Sequence, residues 1–138
     1  MLDKALSFLD GSPRERAQHT VLVVEDEVII RMMLSDVLRR YGFRTIEARD
    51  AHEAITLLQS RVHVDLVFTD VRLPGSIDGL ALARFLRQTR PELQVIVTSG
   101  DASVGNSFDG VGVFLPKPYN PHQAAGRVEE LLLGDAQR

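Results

Sequence analysis

Apolar residues in this chain switch repeatedly between two spacings. The first run, HTVLVVE at residues 19–25, is short, continuous and β-branched, as a strand buried on both faces requires. From Glu27 to Tyr41 the spacing lengthens. Ile30, Leu34, Val37, Leu38 and Tyr41 recur at helical intervals, and Gly42 suits the residue just past a helix. FRTIEA (43–48) is a second, weaker strand. Asp50 and Glu53 form a capping-box-like pair ahead of Ala54, Ile55, Leu57 and Leu58, a second helix. VDLVFTD (64–70) is a third strand. Leu80, Ala83 and Leu86 share one face of a third helix, and Pro91 lies just beyond its end. LQVIVTS (93–99) and GVGVFL (110–115) are the fourth and fifth strands. Asn120 and Pro121 read as the N-cap and first position of a last helix carrying Ala124, Val128, Leu131 and Leu132, closed by Gly134. Strands alternating with helices predict an α/β domain built on a parallel sheet.

Open sheets of this kind bind ligands beyond the carboxyl ends of their strands, so the residues at those ends matter most. Strand one runs into Glu25, Asp26 and Glu27; strand three ends in Asp70. Strand four ends in Thr98, Ser99 and Gly100, and strand five leads into Lys117. Taken alone, each has an ordinary explanation: the acids could form a solvated turn in which Asp26 caps the first helix. Together they bring carboxylates, a hydroxyl and an amine to one edge. Carboxylates this close repel and are costly to desolvate without a cation. A hard divalent ion such as Mg2+ fits such oxygen donors. A metal faced by a free amine is a place to receive a phosphoryl group, and an Asp can be the nucleophile.

The four motifs carry a resemblance. VLVVEDE, DLVFTDVRLPG, VIVTSG and FLPKPY, in this order, resemble the receiver domain of two-component response regulators, over about Thr20 to Leu133. The resemblance implies a flavodoxin-like (βα)5 fold with strand order 2-1-3-4-5. It makes Asp70 the phosphoacceptor. Glu25 and Asp26 would hold Mg2+, Asp26 more directly and Glu25 through water, with the backbone carbonyl of Arg72 as a further ligand. Ser99 takes the switch-hydroxyl position, with Thr98 ranked second by counting along the strand. Lys117 would pair with the phosphoryl group, the Lys117–Pro118 peptide would be cis, and Phe114 falls at the aromatic switch position.

Three features depart from the pattern. PGSIDG holds one residue more than the usual loop, at or near Ser76. The segment between Ser99 and Lys117 is short by about one helical turn and poor in helix formers, so a shortened fourth helix is expected. Phe114 lacks the hydroxyl of the more familiar Tyr. Arg72 and Asp101 each lie two residues past a site residue. They are read either as an ion pair that restricts the attacking water or as two solvated side chains. His19, His52, His63 and His122 are read as surface residues with no shared metal spacing. Leu2, Leu6 and Leu9 share a helical face, so residues 1–18 are taken as an N-terminal extension, 19–134 as the receiver domain and 135–138 as a tail.

Composition narrows the function further. The chain's 138 residues fit one domain, and 44% hydrophobic residues suffice for a core. A net charge of -3 gives no case for nucleic acid or an anionic membrane, and the absence of cysteine excludes thiolate chemistry. No run is long enough to span a bilayer and the N-terminus does not read as a signal peptide, so a cytoplasmic location is expected. The expected function is a single-domain phosphoacceptor switch: a shuttle, a sink or a protein-binding device. It is not expected to be an enzyme, beyond self-phosphorylation and self-dephosphorylation at Asp70. Its partners would be a sensor histidine kinase or histidine phosphotransfer protein and an undefined downstream target, with the chain a monomer or weak homodimer. The alternatives are a degenerate receiver that signals without phosphorylation, or a receiver segment of a hybrid kinase. An aspartyl-phosphate phosphatase would want an acid where Arg72 stands. A binder of flavin phosphate would want a Gly, Ser and Thr cradle where EDEVII stands.

Overall fold

The computed structural model describes residues 19–107 and 111–134. The expected N-terminal extension, with Leu2, Leu6 and Leu9, and the tail 135–138 lie outside the described residues. Five strands alternate with five helices among the described residues: β1 (Thr20–Val24), α1 (Val28–Arg40), β2 (Arg44–Ala48), α2 (Ala51–Gln59), β3 (Leu66–Asp70), α3 (Gly79–Thr89), β4 (Gln94–Ser99), α4 (Ser103–Ser107), β5 (Val113–Pro116) and α5 (Pro121–Leu133). The strands pair in parallel in the order 2-1-3-4-5, as expected.

Alternation along each strand divides the core in two. Val21, Val23, Leu66, Phe68 and Ile96 face α1 and α5, where they meet Leu34, Leu38, Ala124 and Val128. Leu22, Val24, Val67, Val95 and Val97 face α2 and α3, where they meet Ala54, Leu58, Leu82 and Leu86. Every residue of β1 and β3 is buried, which is why their sequences read as continuous apolar runs. The chain adds β2 on one side of β1 and β3 on the other. Their carboxyl ends diverge at that reversal and leave a crevice.

Element ends follow local chemistry. Asp50, Asp78 and Asn120 cap α2, α3 and α5 by accepting from the backbone N–H groups of Glu53, Ala81 and Gln123. Gly42, at φ 100°, ends α1. The fourth helix is short, five residues, as expected. The fifth strand begins at Val113, later than the apolar run from residue 110, because Val111 and Gly112 form the turn leading into it. A Cβ on Gly112 would lie 2.5 Å from the Val95 carbonyl, so only glycine passes there. No helix among the described residues is long and apolar enough to cross a membrane.

Candidate functional site

The helix that follows the acids is the exception in capping. The N-cap position of α1 is Glu27, whose side chain makes no cap hydrogen bond. Asp26 is therefore not the helix cap that the ordinary reading makes it, and the carboxylates of this turn are left for something else. Glu25 is buried, while Asp26 and Glu27 are exposed. Three contacts hold Glu25: its N–H donates to the Ala48 carbonyl at 3.0 Å, its Oε2 accepts from the Glu27 N–H at 3.3 Å, and its carbonyl accepts from Arg31 at 2.7 Å.

Asp70, at the end of β3, is 8% exposed. Its Oδ2 accepts from Lys117 Nζ at 2.8 Å, and its Oδ1 from the Arg72 N–H at 3.2 Å. A cavity of about 830 Å3 opens over this pair, lined by Asp26, Glu27, Asp70, Arg72, Ser99, Asp101 and Lys117 among others. Glu25 lies behind the wall rather than on it. Burial above all, aided by the charge of Asp70 and a hydrogen bond with Asp26, raises the Glu25 carboxyl from its ordinary 4.5 to about 7.

Ser99 and Thr98 are distinguished by the pleat. Ser99 lines the cavity, and its Oγ accepts from the Asp101 N–H at 3.0 Å. Thr98 projects to the other side of the strand, where its Oγ1 is buried without a partner. The Asp101 carboxylate accepts from the N–H and hydroxyl of Ser103, at 2.9 and 2.7 Å. Those bonds, with a smaller contribution from the Arg72 charge, hold its pKa below the ordinary range. Arg72 and Asp101 form no ion pair, so the ion-pair reading gives way to the solvated one. The Lys117–Pro118 peptide is cis. Phe114 is half-buried and lies against Gly105 of α4, where a Cβ would approach its ring to 3.0 Å.

The donor set for a metal is oxygen only. Among the described residues no group of three or more His, Cys, Asp or Glu could hold an ion by itself. The carboxylates that face the cavity are those of Asp26, Glu27, Asp70 and Asp101, and Mg2+ takes one or two carboxylates and keeps several waters. His52, His63 and His122 are exposed and bond to Ser76, Asp65 and Tyr41; His19 is half-buried.

Sequence reasoning passed over three features of the site. Gly79 starts α3 so close to Asp70 that a Cβ there would lie 1.9 Å from the Asp70 carbonyl oxygen. Arg31 reaches back to the acidic turn. Val28, Ile29, Met32 and Met33 are all more than half exposed, beside an apolar groove of about 460 Å3 lined by Ile30, Met33, Lys117, Pro118 and Tyr119 among others. The signal for the last was present: the first two turns of α1 are apolar on more faces than one core requires.

Comparison with known proteins agrees with this geometry. A family model described as the response regulator receiver domain matches residues 21–129. Sensor kinase CckA of Brucella abortus (strain 2308) is 39% identical over 118 residues, covering 82% of this chain. The chain spans only 12% of that kinase's length. A response regulator receiver protein from Sinorhizobium medicae WSM419 superimposes with a TM-score of 0.75 at 30% identity, over 83% of this chain and 94% of its own. The response regulator TrrA of Thermotoga maritima, solved in complex with Mg2+ and BeF, has a TM-score of 0.73 at 25% identity, over 82% of this chain and 98% of its own.

Proposed function

Because the chain belongs to the response regulator receiver domain family, we propose that it accepts a phosphoryl group on Asp70 from a phosphohistidine of a sensor kinase or phosphotransfer protein. The observation that carries this is the 2.8 Å contact between Lys117 and Asp70 at the floor of an acid-lined cavity. One carboxylate oxygen of Asp70 attacks phosphorus. The new P–O bond forms as the P–N bond to the donor imidazole breaks, and the imidazole keeps that electron pair and takes up a proton from solvent. Lys117 leaves the Asp70 oxygen to follow the transferred oxygens, and the Ser99 hydroxyl donates to another of them. Asp26, Asp70 and the Arg72 carbonyl would hold Mg2+, with Glu25 acting through water; the ion supplies charge neutralisation at the transferring oxygens. The donor would come in over the exposed apolar start of α1, which borders the cavity.

In this reading the chain works in the cytoplasm as a shuttle, a sink or a protein-binding switch. A receiver segment within a hybrid kinase is the second context, favoured by the likeness to CckA. Incubation with radiolabelled acetyl phosphate and Mg2+ tests the chemistry. Label should enter the wild type, and be lost on Asp70→Asn or on adding EDTA. A folded wild type that takes no label from acetyl phosphate or a phosphorylated donor would leave the phosphorylation-independent reading in its place.

A further inference from the structure

Arg31 makes two bonds from one guanidinium. One terminal N–H donates to the Glu25 carbonyl at 2.7 Å, and Nε–H donates to Glu47 Oε1 at 3.1 Å. Its side chain is only 17% exposed. The Glu25 carbonyl needs this donor. β2 ends at Ala48, and Asp50 turns away to cap α2, so the sheet ladder offers no further N–H at that point. Arg31 belongs to α1 and Glu47 to β2, so the pair ties the acidic turn to a helix on one side and a strand on the other. The other oxygen of Glu47 accepts only a longer bond, 3.4 Å, from the exposed Arg39, which reaches neither Arg31 nor the acidic turn.

We propose that Arg31, oriented by Glu47, is a positioning residue that fixes the Glu25–Asp26 turn in the geometry needed to hold the divalent cation. This rests on the metal-dependent reading of the site. The physical case is that of groups one layer out from a metal. They do not touch the ion, but they fix where its ligands point, and their removal commonly weakens affinity 10–100-fold. A planar guanidinium can serve the carbonyl and the carboxylate at once. A lysine ammonium is a point charge and cannot reproduce that fork.

The test is Mg2+ titration of the full chain followed by amide NMR, with phosphorylation by acetyl phosphate as a function of Mg2+ concentration. Arg31→Ala should weaken Mg2+ binding about tenfold. The phosphorylation rate at saturating Mg2+ should stay within about twofold of wild type, because the reacting groups Asp70 and Lys117 are untouched. Arg31→Lys should recover only part of the affinity, and Glu47→Gln should fall between wild type and Arg31→Ala. Arg39→Ala, which loses the other contact to Glu47 but none to Glu25, should bind Mg2+ as wild type does. The proposal is overturned if wild type binds Mg2+ and Arg31→Ala binds equally well, or if Arg39→Ala loses as much. Should Arg31→Ala fail to fold, Arg31→Lys and Glu47→Gln decide in the same way. A wild type that binds no Mg2+ would overturn the metal-dependent reading itself, a result distinguishable from either of these.

Discussion

The cavity has two flanks built in different ways. On the acid flank, Glu25 is tied through its N–H, its carbonyl and its carboxylate to β2, α1 and the start of the helix. On the other flank, α4 has five residues, and the Asp101 bonds that start it run only to Ser103 and Val104. The first flank is cross-braced by long-range contacts, whereas beyond Ser99 the hydrogen bonds that start α4 are local. Segments held by local contacts open at lower free energy than braced ones. The flank that holds charge in place is therefore the fixed one. Under the proposed function, the rearrangement that follows phosphorylation is expected at Ser99, α4 and Phe114 on the other.

Asp70 is the pivot between the flanks, and the largest effect is expected beneath it. Gly79→Ala would put a methyl 1.9 Å from the Asp70 carbonyl oxygen, a backbone atom that cannot swing aside. The Gly79 N–H also donates to the Val71 carbonyl at 2.8 Å, so α3 cannot simply retreat. The cost should be about 3 kcal/mol, read as a fall in Tm of roughly 10 °C. A variant with unchanged Tm would mean that the close approach of α3 to β3 is not a fixed feature and that the pivot is loose.

A pH series sharpens the acid flank and carries the next largest effect. Glu25 keeps its proton better in the folded chain than in the unfolded one, with values of about 7 and 4.5. Its contribution to stability is thus fully present below 4.5, and is lost as pH rises through about 7. Mg2+ binding as proposed should have the opposite dependence, because the Glu25 carboxyl would have to be ionised to help hold the ion. Affinity for Mg2+ should rise with pH by up to about tenfold per unit below 7 and level off above it. Glu25→Gln should flatten the curve. A wild-type affinity independent of pH between 5.5 and 8 would place Glu25 outside the metal's influence.

The same contrast explains what could be read from the sequence. The parts with a local signature announce themselves. Strands buried on both faces are continuous apolar runs, caps such as Asp50 and Asn120 precede their helices, and Asp70, Ser99 and Lys117 sit where strands end. What escaped was long-range. Nothing local marks Arg31 as the partner of a carbonyl six residues back and a carboxylate sixteen residues on. Gly79 looks like a weak helix start until α3 is packed against β3. The pairing of Asp101 with Ser103 instead of Arg72 is a choice between two neighbours that spacing alone left open.

Gly105→Ala probes the local flank and should give the smallest effect. Two terms oppose each other. Alanine gains about 1 kcal/mol over glycine in a helix, partly by restricting the unfolded chain. Against it, the new Cβ would sit 3.0 and 3.2 Å from two carbons of the Phe114 ring, so the ring must shift by a few tenths of an ångström. Phe114 is half-buried and has solvent on one side to move into. The helix term should therefore win slightly, raising Tm by about 2 °C, while the aromatic resonances of Phe114 move. Titration with Mg2+ and beryllofluoride, a mimic of the phosphoryl group, should then give smaller amide shifts in α4 than in wild type, while the shifts at Asp26 stay as in wild type. A Tm fall of about 5 °C or more would show α4 and Phe114 packed as rigidly as the acid flank, and the distinction between the two flanks would be lost.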